Sequence, residues 1–489
     1  MHCENCRSTS VVNQGVRFYG NKKKTGYKCS SCGHKWAVDE TPSVKIKKNV
    51  VVTSAVDGSP INTKFLETLK TYCKHNNAEL VILPVLNKVK FFENRFPDEI
   101  KPYLVSSSTV LDDANVELMG HIKLGTTLDN PLHAMKPFSK GRSVVFGHPQ
   151  VQLQTLPRKT EKYPSIMATT GTVSLERYGD SKTANKAKFN HSFSALFIDK
   201  SSGNMRHLHY DGVGFYDLSE YYSENKLVEN QRAAAIVTGD EHVNFYDESI
   251  LEATYGKTGM VQTLKPEFIV RHDVLDCYSI SHHHAKNVFT RYGKHLSGNN
   301  NIEDELKATV KFIEDTTPDF AKSLIVASNH NSHLLRYLNE ADPKNDMVNA
   351  KIYHQLMYMM LDSVKTNGKV ISYPDPFTLW AKQQNVPKNV TFLSENDNFT
   401  IAGIDITLHG DRGANGSRPA ASSFSDLPQK TVVGHSHSPS INKSCYTVGT
   451  SSLLKMDYNR GLSSWHQSHV IIHPNGKRQL IFIIDGRWR

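Results

Sequence analysis

At 489 residues the chain is longer than one hydrophobic core usually serves, and its ordinary composition excludes a disordered or fibrous protein. With 58 Lys and Arg against 48 Asp and Glu the net charge is +10, a balance that favours a polyanionic partner without requiring one. There is no apolar stretch of about 18 residues and no apolar signal core in the opening MHCENCRSTS, so neither a membrane span nor secretion is expected, and a cytoplasmic protein is.

The first segment, residues 1–43, carries four of the seven cysteines as two CxxC pairs, Cys3 and Cys6 in CENC and Cys29 and Cys32 in CSSC, with 22 residues between the pairs. Two such knuckles offer four thiolates to one tetrahedral ion, so a zinc ribbon with one structural Zn²⁺ is expected. Cys73, Cys277 and Cys445 are scattered, which fits a reducing compartment. Basic residues such as Arg7, Lys28 and Lys35 make a nucleic-acid contact one use for the ribbon and docking another, with a plain structural module as the third. VKIKKN at 44–49 reads as a linker.

Residues 49–231 read as an α/β domain. VVVTSAV is an apolar strand, TKFLETLKTYCKHN has helical periodicity and ELVILPV is a second buried strand, which together make a βαβ unit. Further on, RSVVFGHPQVQLQ, SIMATTGTVSLERY and FSALFID are β-rich runs between basic loops.

From residue 232 strands and helices alternate regularly, which describes a layered α/β domain. AAAIVTGDEH, EFIVRHDVLD and SLIVASNHNS are strands, separated by helical NIEDELKATVKFIEDT and followed by helical AKIYHQLMYMMLDSVK. FTIAGIDITLHGD, KTVVGHSHSP and HVIIHPNGKRQLIFIID are strand-like. Polar residues follow the strand ends, where such folds place their sites. They are Asp240 and His242 in TGDEH, Asp273 in RHDVLD, Asn329 and His330 in ASNHN, His409 in LHGD, and His435 and His437 in GHSH. Singly each is an ordinary turn or capping residue. As a series of oxygen and nitrogen donors without cysteine they suit a catalytic site for Mn²⁺, Fe²⁺ or Zn²⁺, and a strand ending in GHSH would send His435 and His437 to one face.

The order DxH, a further Asp about 33 residues on, NH, H and GHxH resembles the calcineurin-like metallophosphoesterase superfamily over residues 232–489. That resemblance implies a β-sandwich flanked by helices and two divalent ions, Mn²⁺ foremost. One ion would be held by Asp240, His242, Asp273 and His437, the other by Asp273, Asn329, His409 and His435. It also implies that His330 assists at the leaving group. The chain departs from the family pattern at His272, where glycine is usual, and at Ser328 and Asn331 around the NH pair, which leaves His330 without its usual aspartate neighbour.

Arg271, Arg412 and Arg418 stand beside ligand motifs and could hold flanking phosphates, as surface arginines also would. SISHHH at 279–284 falls where a substrate-facing loop would lie, or is a solvated histidine run. The basic balance, the ribbon and the lysine-rich linker point to a nucleic acid, and the overall arrangement is similar to the SbcD-type DNA repair nucleases, although a ribbon followed by an α/β domain is not their usual layout. VVVTSAVDGSPINTKFLETLKTYC resembles the start of the extra N-terminal α/β region of phage-encoded DNA-degrading enzymes. The implied function is two-metal phosphodiester hydrolysis of DNA by a homo-oligomer, in the host cytoplasm for a phage protein. A phosphomonoesterase or cyclic-nucleotide phosphodiesterase using the ribbon for assembly is the alternative, and a non-catalytic nucleic-acid-binding scaffold is the third reading.

Overall fold

The computed structural model describes residues 2–3, 5–19, 22–39, 46, 48–86, 95–158, 163–419, 423–456, 459 and 461–489. Val44, Lys45 and Lys47 of the linker lie outside the described residues. The chain forms two compact units, one of Met1–Leu156, Glu161–Phe215 and Tyr222–Leu227, the other of Pro157–Thr160, Tyr216–Tyr221 and Val228–Arg489. Both are mixed α/β, and among the described residues no helix is long and apolar enough to cross a membrane.

In the first unit three antiparallel strands, Val11–Tyr19, Lys22–Cys29 and Lys35–Asp39, form the small N-terminal sheet. The expected βαβ unit is present beyond it. Strands Asn49–Val56 and Ala78–Val85 pair in parallel and the helix Thr63–His75 crosses between them. That helix begins where Asn62 caps it, its side chain accepting from the Phe65 N–H, and it buries Phe65, Leu66, Leu69 and Tyr72. Ser194–Ile198 and Met205–His209 extend the sheet antiparallel. Tyr72 packs edge-on against Phe197 and Tyr222, so large rings fill this core.

In the second unit the sheet runs in the order Val390–Phe392, Lys322–Ile325, Phe268–Arg271, Ala235–Val237, Ser468–Ile472, Arg478–Phe482. The first four strands are parallel and the last two antiparallel. Parallel neighbours need crossovers, and helices supply them: Glu248–Tyr255 and Met260–Leu264, then Val288–Ser297 and Ile302–Thr316, then Asn329–Glu340, Ala350–Asp362 and Pro376–Ala381. Ile236, Ile269 and Ile471 are register partners and so share a face. They pack there with Ile250, Met260 and Leu264 of the first helix pair.

A second strand group, in the order Thr400–Ile401, Ile404–Asp405, Thr431–Val433, Cys445–Thr447, Ser440–Asn442, contributes the later motifs. FTIAGIDITLHGD is not one strand. Ala402 and Gly403 both take positive φ, 49° and 77°, and turn the chain into a two-residue hairpin, leaving LHGD as a loop.

Candidate metal centre

Every one of the five motifs lies just beyond a strand or hairpin of the second unit, and backbone bonds tie these strand-end loops to one another. The Glu241, His242 and Val243 N–H groups donate to the carbonyls of His272, Asp273 and Val274, so TGDEH and RHDVLD form one rigid pair of loops. Gly434 N–H donates to His409 O, which joins GHSH to LHGD. Gly434 also permits close approach, since a Cβ there would lie 2.3 Å from Asp240 Oδ1.

The expectation that a strand aims His435 and His437 is corrected by the backbone. The strand ends at Val433, and the two histidines sit at φ of 69° and 53°, in the left-handed region. His242 at 41° and Asp273 at 44° share that conformation. Four non-glycine residues of one cluster in a sparsely populated region store strain that the surrounding packing must hold, a pattern typical of functional sites.

The donor atoms converge in two groups. Asp240, His242, Asp273 and His437 form one buried set, and Asp273, His409 and His435 form the other, with Asp273 in both. Two ligands about 2.1 Å from a shared ion, at tetrahedral or octahedral angles, stand about 3.0 to 3.4 Å apart. In the first group His437 Nε2 is 2.9 Å from Asp240 Oδ2 and 3.0 Å from His242 Nε2. In the second, His409 Nε2 is 3.1 Å from Asp273 Oδ2 and 3.1 Å from Asn329 Oδ1, and His435 Nδ1 is 3.0 Å from Asn329 Oδ1. Although His437 is so near, neither oxygen of Asp240 is aligned to accept a hydrogen bond, and Asp273 Oδ1 is also left unbonded. Buried carboxylate oxygens without donors are costly, and a shared cation answers that cost.

Electrostatics agree. Burial alone would raise the carboxyls of Asp240 and Asp273, yet the surrounding histidines hold both below the usual carboxylate range, His437 foremost at Asp240 and His409 at Asp273. In return, and against burial, Asp276 lifts His242 to about 9 and Asp273 lifts His409 to about 9. Protons stand where positive charge is demanded, so the donor set fits divalent ions. His435 is exposed while the other donors are buried or half-buried, which opens the second group to solvent.

His330 lies on the first turn of the helix Asn329–Glu340, with its ring 4.8 Å from that of His242. Asn331, which replaces the usual aspartate, does not support it, because its side chain bonds Ser328 and Asp375. Support comes from Asp276. Its carbonyl accepts from His330 Nδ1 at 2.5 Å and its carboxylate lies 3.5 Å from the same nitrogen. That carboxylate also accepts from His242 Nδ1 at 2.7 Å, which leaves His242 Nε2 free to ligate. Asp276 is a residue of the candidate site that the motif reading misses, although it is the second acid of RHDVLD. His272 likewise gains a role, for its buried Nδ1 is 3.3 Å from His409 Nδ1, behind the ligating nitrogen.

Arg271 is not a phosphate ligand. It follows Ile269 by two residues and so points to the helix side of the sheet, fully buried. Its guanidinium donates to Ser323 Oγ at 2.8 Å, Thr316 Oγ1 at 2.8 Å and Thr316 O at 2.9 Å, and pairs with Glu241 at 3.4 Å. Arg412 is half-exposed and paired with Glu395 at 2.6 Å, with Ser332 at 3.4 Å. Arg418 is exposed.

In the first unit the thiols of Cys3, Cys6, Cys29 and Cys32 gather within 4.8 Å of one another. Cys3 to Cys32 and Cys6 to Cys29 are each 3.6 Å between sulfurs, close to the ~3.8 Å that a tetrahedral ion with Zn–S near 2.3 Å imposes. Burial opposes the Cys29 thiolate, but the backbone N–H groups of Cys32 and Ser31 outweigh it and bring the thiol down to about 6. These four residues fit a structural Zn²⁺.

No protein-family model matches the chain, and no solved structure matches it. The chain is similar to Protein A1 of Escherichia phage T5, 28% identical over 467 residues that cover 91% of this chain and 83% of that protein.

Proposed function

We propose that the chain is a phosphodiester hydrolase of the calcineurin-like metallophosphoesterase type that acts on DNA with two divalent ions. The observation that carries the reading is the pair of donor groups sharing Asp273 at ion-compatible spacing, with His330 beside them. Two bound ions would supply Lewis-acid polarisation of a phosphate and a nucleophile ionised near neutral pH.

The chain's own residues account for the rest. Asp240, His242 and His437 would hold one ion, Asn329, His409 and His435 the other, with Asp273 shared. His330 gives its Nδ1 hydrogen to the Asp276 carbonyl, which aims Nε2 toward Asp273, 4.0 Å away. From that position Nε2 could pass a proton to a leaving alkoxide. DNA as substrate is supported by the net charge of +10, by a four-cysteine ribbon in the other unit and by similarity to a phage protein over most of the chain. Mn²⁺ is the ion expected to give most activity, with Fe²⁺ or Zn²⁺ able to replace it.

The test is incubation of the full chain with Mn²⁺ and closed circular or linear DNA, beside a nucleotide and a phosphoprotein. Metal-dependent cleavage of either DNA form is expected. Turnover of the small or protein substrate with intact DNA would overturn the substrate claim, and no hydrolysis of any of them would overturn the enzyme.

A further inference from the structure

The loop that leaves Asp276 continues to a short turn of helix at His282–His284, and the helix that begins at Asn329 carries His330 and His333 three residues apart, on one face. These two elements bring a second cluster together. One ring nitrogen each from His282, His283 and His333 lies within 4.8 Å of the others. The His282 ring is 3.8 Å from that of His283 and 4.9 Å from that of His333, centroid to centroid.

Nothing in the dinuclear arrangement explains these rings. Nδ1 of His282 and Nδ1 of His333 are both buried without a hydrogen-bond partner among the described residues. Leaving a polar nitrogen so placed is costly, and clustering three imidazoles only worsens that cost if any is charged. Burial first, and then the neighbouring His330 and His282, pushes His333 down to about 3. Burial and His283 lower His282 as well. His282 and His333 are therefore held neutral and keep lone pairs, which is the form that binds a metal. No carboxylate joins the group, so it does not suit Mg²⁺ or Ca²⁺, while a set of three imidazoles suits Zn²⁺ and leaves its fourth position open.

We propose that His282, His283 and His333 form a further divalent-cation site, taking Zn²⁺, separate from the two donor groups that share Asp273. The ring of His333 is 4.8 Å from that of His330, so an ion held here borders the side of the centre where His330 works. Its open position is suited to a phosphate oxygen of the substrate, a point that rests on the phosphodiesterase reading. The site itself does not rest on it.

The experiment is Zn²⁺ content and Zn²⁺ titration of the full chain against a chromophoric chelator, for wild type, His333→Gln, His283→Gln and Asp273→Asn. Wild type is expected to take up the equivalents of the ribbon and the dinuclear centre and one more. His333→Gln and His283→Gln are each expected to lose that one equivalent and keep the others, whereas Asp273→Asn loses equivalents at the dinuclear centre and keeps it. If His333→Gln loses further equivalents through misfolding, His283→Gln decides, because its ring is exposed. Unchanged stoichiometry and affinity in His283→Gln would overturn the site. A wild type that binds the extra equivalent but hydrolyses no DNA would refute the proposed function and leave this site standing.

Discussion

Asp276→Asn is the most informative substitution at the centre, because it keeps the shape of the side chain and removes only its charge. The carboxylate accepts from His242 Nδ1 at 2.7 Å and is almost fully buried, so little solvent screens the pair. A hydrogen bond to a charged partner contributes about 1.5 to 3 kcal/mol and a neutral one about 0.5 to 1.5, so the substitution should cost about 1 to 2 kcal/mol of ligand orientation. That corresponds to roughly 5- to 30-fold weaker binding of one ion, at the low end of the about 10- to 100-fold usual for partners of metal-ligating histidines. The Asp276 carbonyl still receives His330 Nδ1, and the set of Asn329, His409 and His435 is untouched. Mn²⁺ titration followed by the paramagnetic signal of free Mn²⁺ should therefore show one weakened site and one unchanged. Calorimetry in two buffers should also show fewer protons released, because His242 is no longer held protonated up to about 9. Two sites with wild-type affinities would refute the role given to Asp276.

Two further outcomes follow from buried groups outside the ligand set. Arg271→Ala strands Glu241, which is fully buried, and should destabilise the second unit by about 3 kcal/mol, with Arg271→Met combined with Glu241→Gln recovering most of it. Urea unfolding measures this, and a loss below about 1 kcal/mol would return Arg271 to the candidate phosphate ligands. His469 is fully buried, accepts the Gly239 N–H at Nδ1 and faces Thr254 through Nε2, and burial brings it down to about 4. The folded state thus binds fewer protons than the unfolded chain between pH 6.5 and about 4, so its contribution is whole above 6.5 and is lost on acidification by about 3 kcal/mol at most. Urea midpoints that stay flat across that window would contradict it.

Much of the candidate site was legible because potential metal donors attach to local signals. CENC and CSSC state a tetrahedral thiolate set by spacing alone, and the histidines and carboxylates past apolar strands declare themselves because parallel strands deliver their C-terminal ends to one crevice. The βαβ start of the first unit was equally plain, since 2.0 and 3.6 residue periods differ over so short a stretch. What could not be read was direction and distance. Arg271 looked available beside Asp273, but strand alternation and the register with Ile325 turn it under the helices, where Glu241 and Thr316 meet it. The left-handed backbone at His242, Asp273, His435 and His437 is imposed by loops that bond across the sheet, not by the residues themselves. His282 and His333 are separated by 51 positions of sequence, and Asp276 and His330 by 54. Ligand identity is a property of residue type and so is carried by the chain, whereas the partners that orient each ligand are chosen by which strand ends and helix starts the packed sheet brings within about 3 Å.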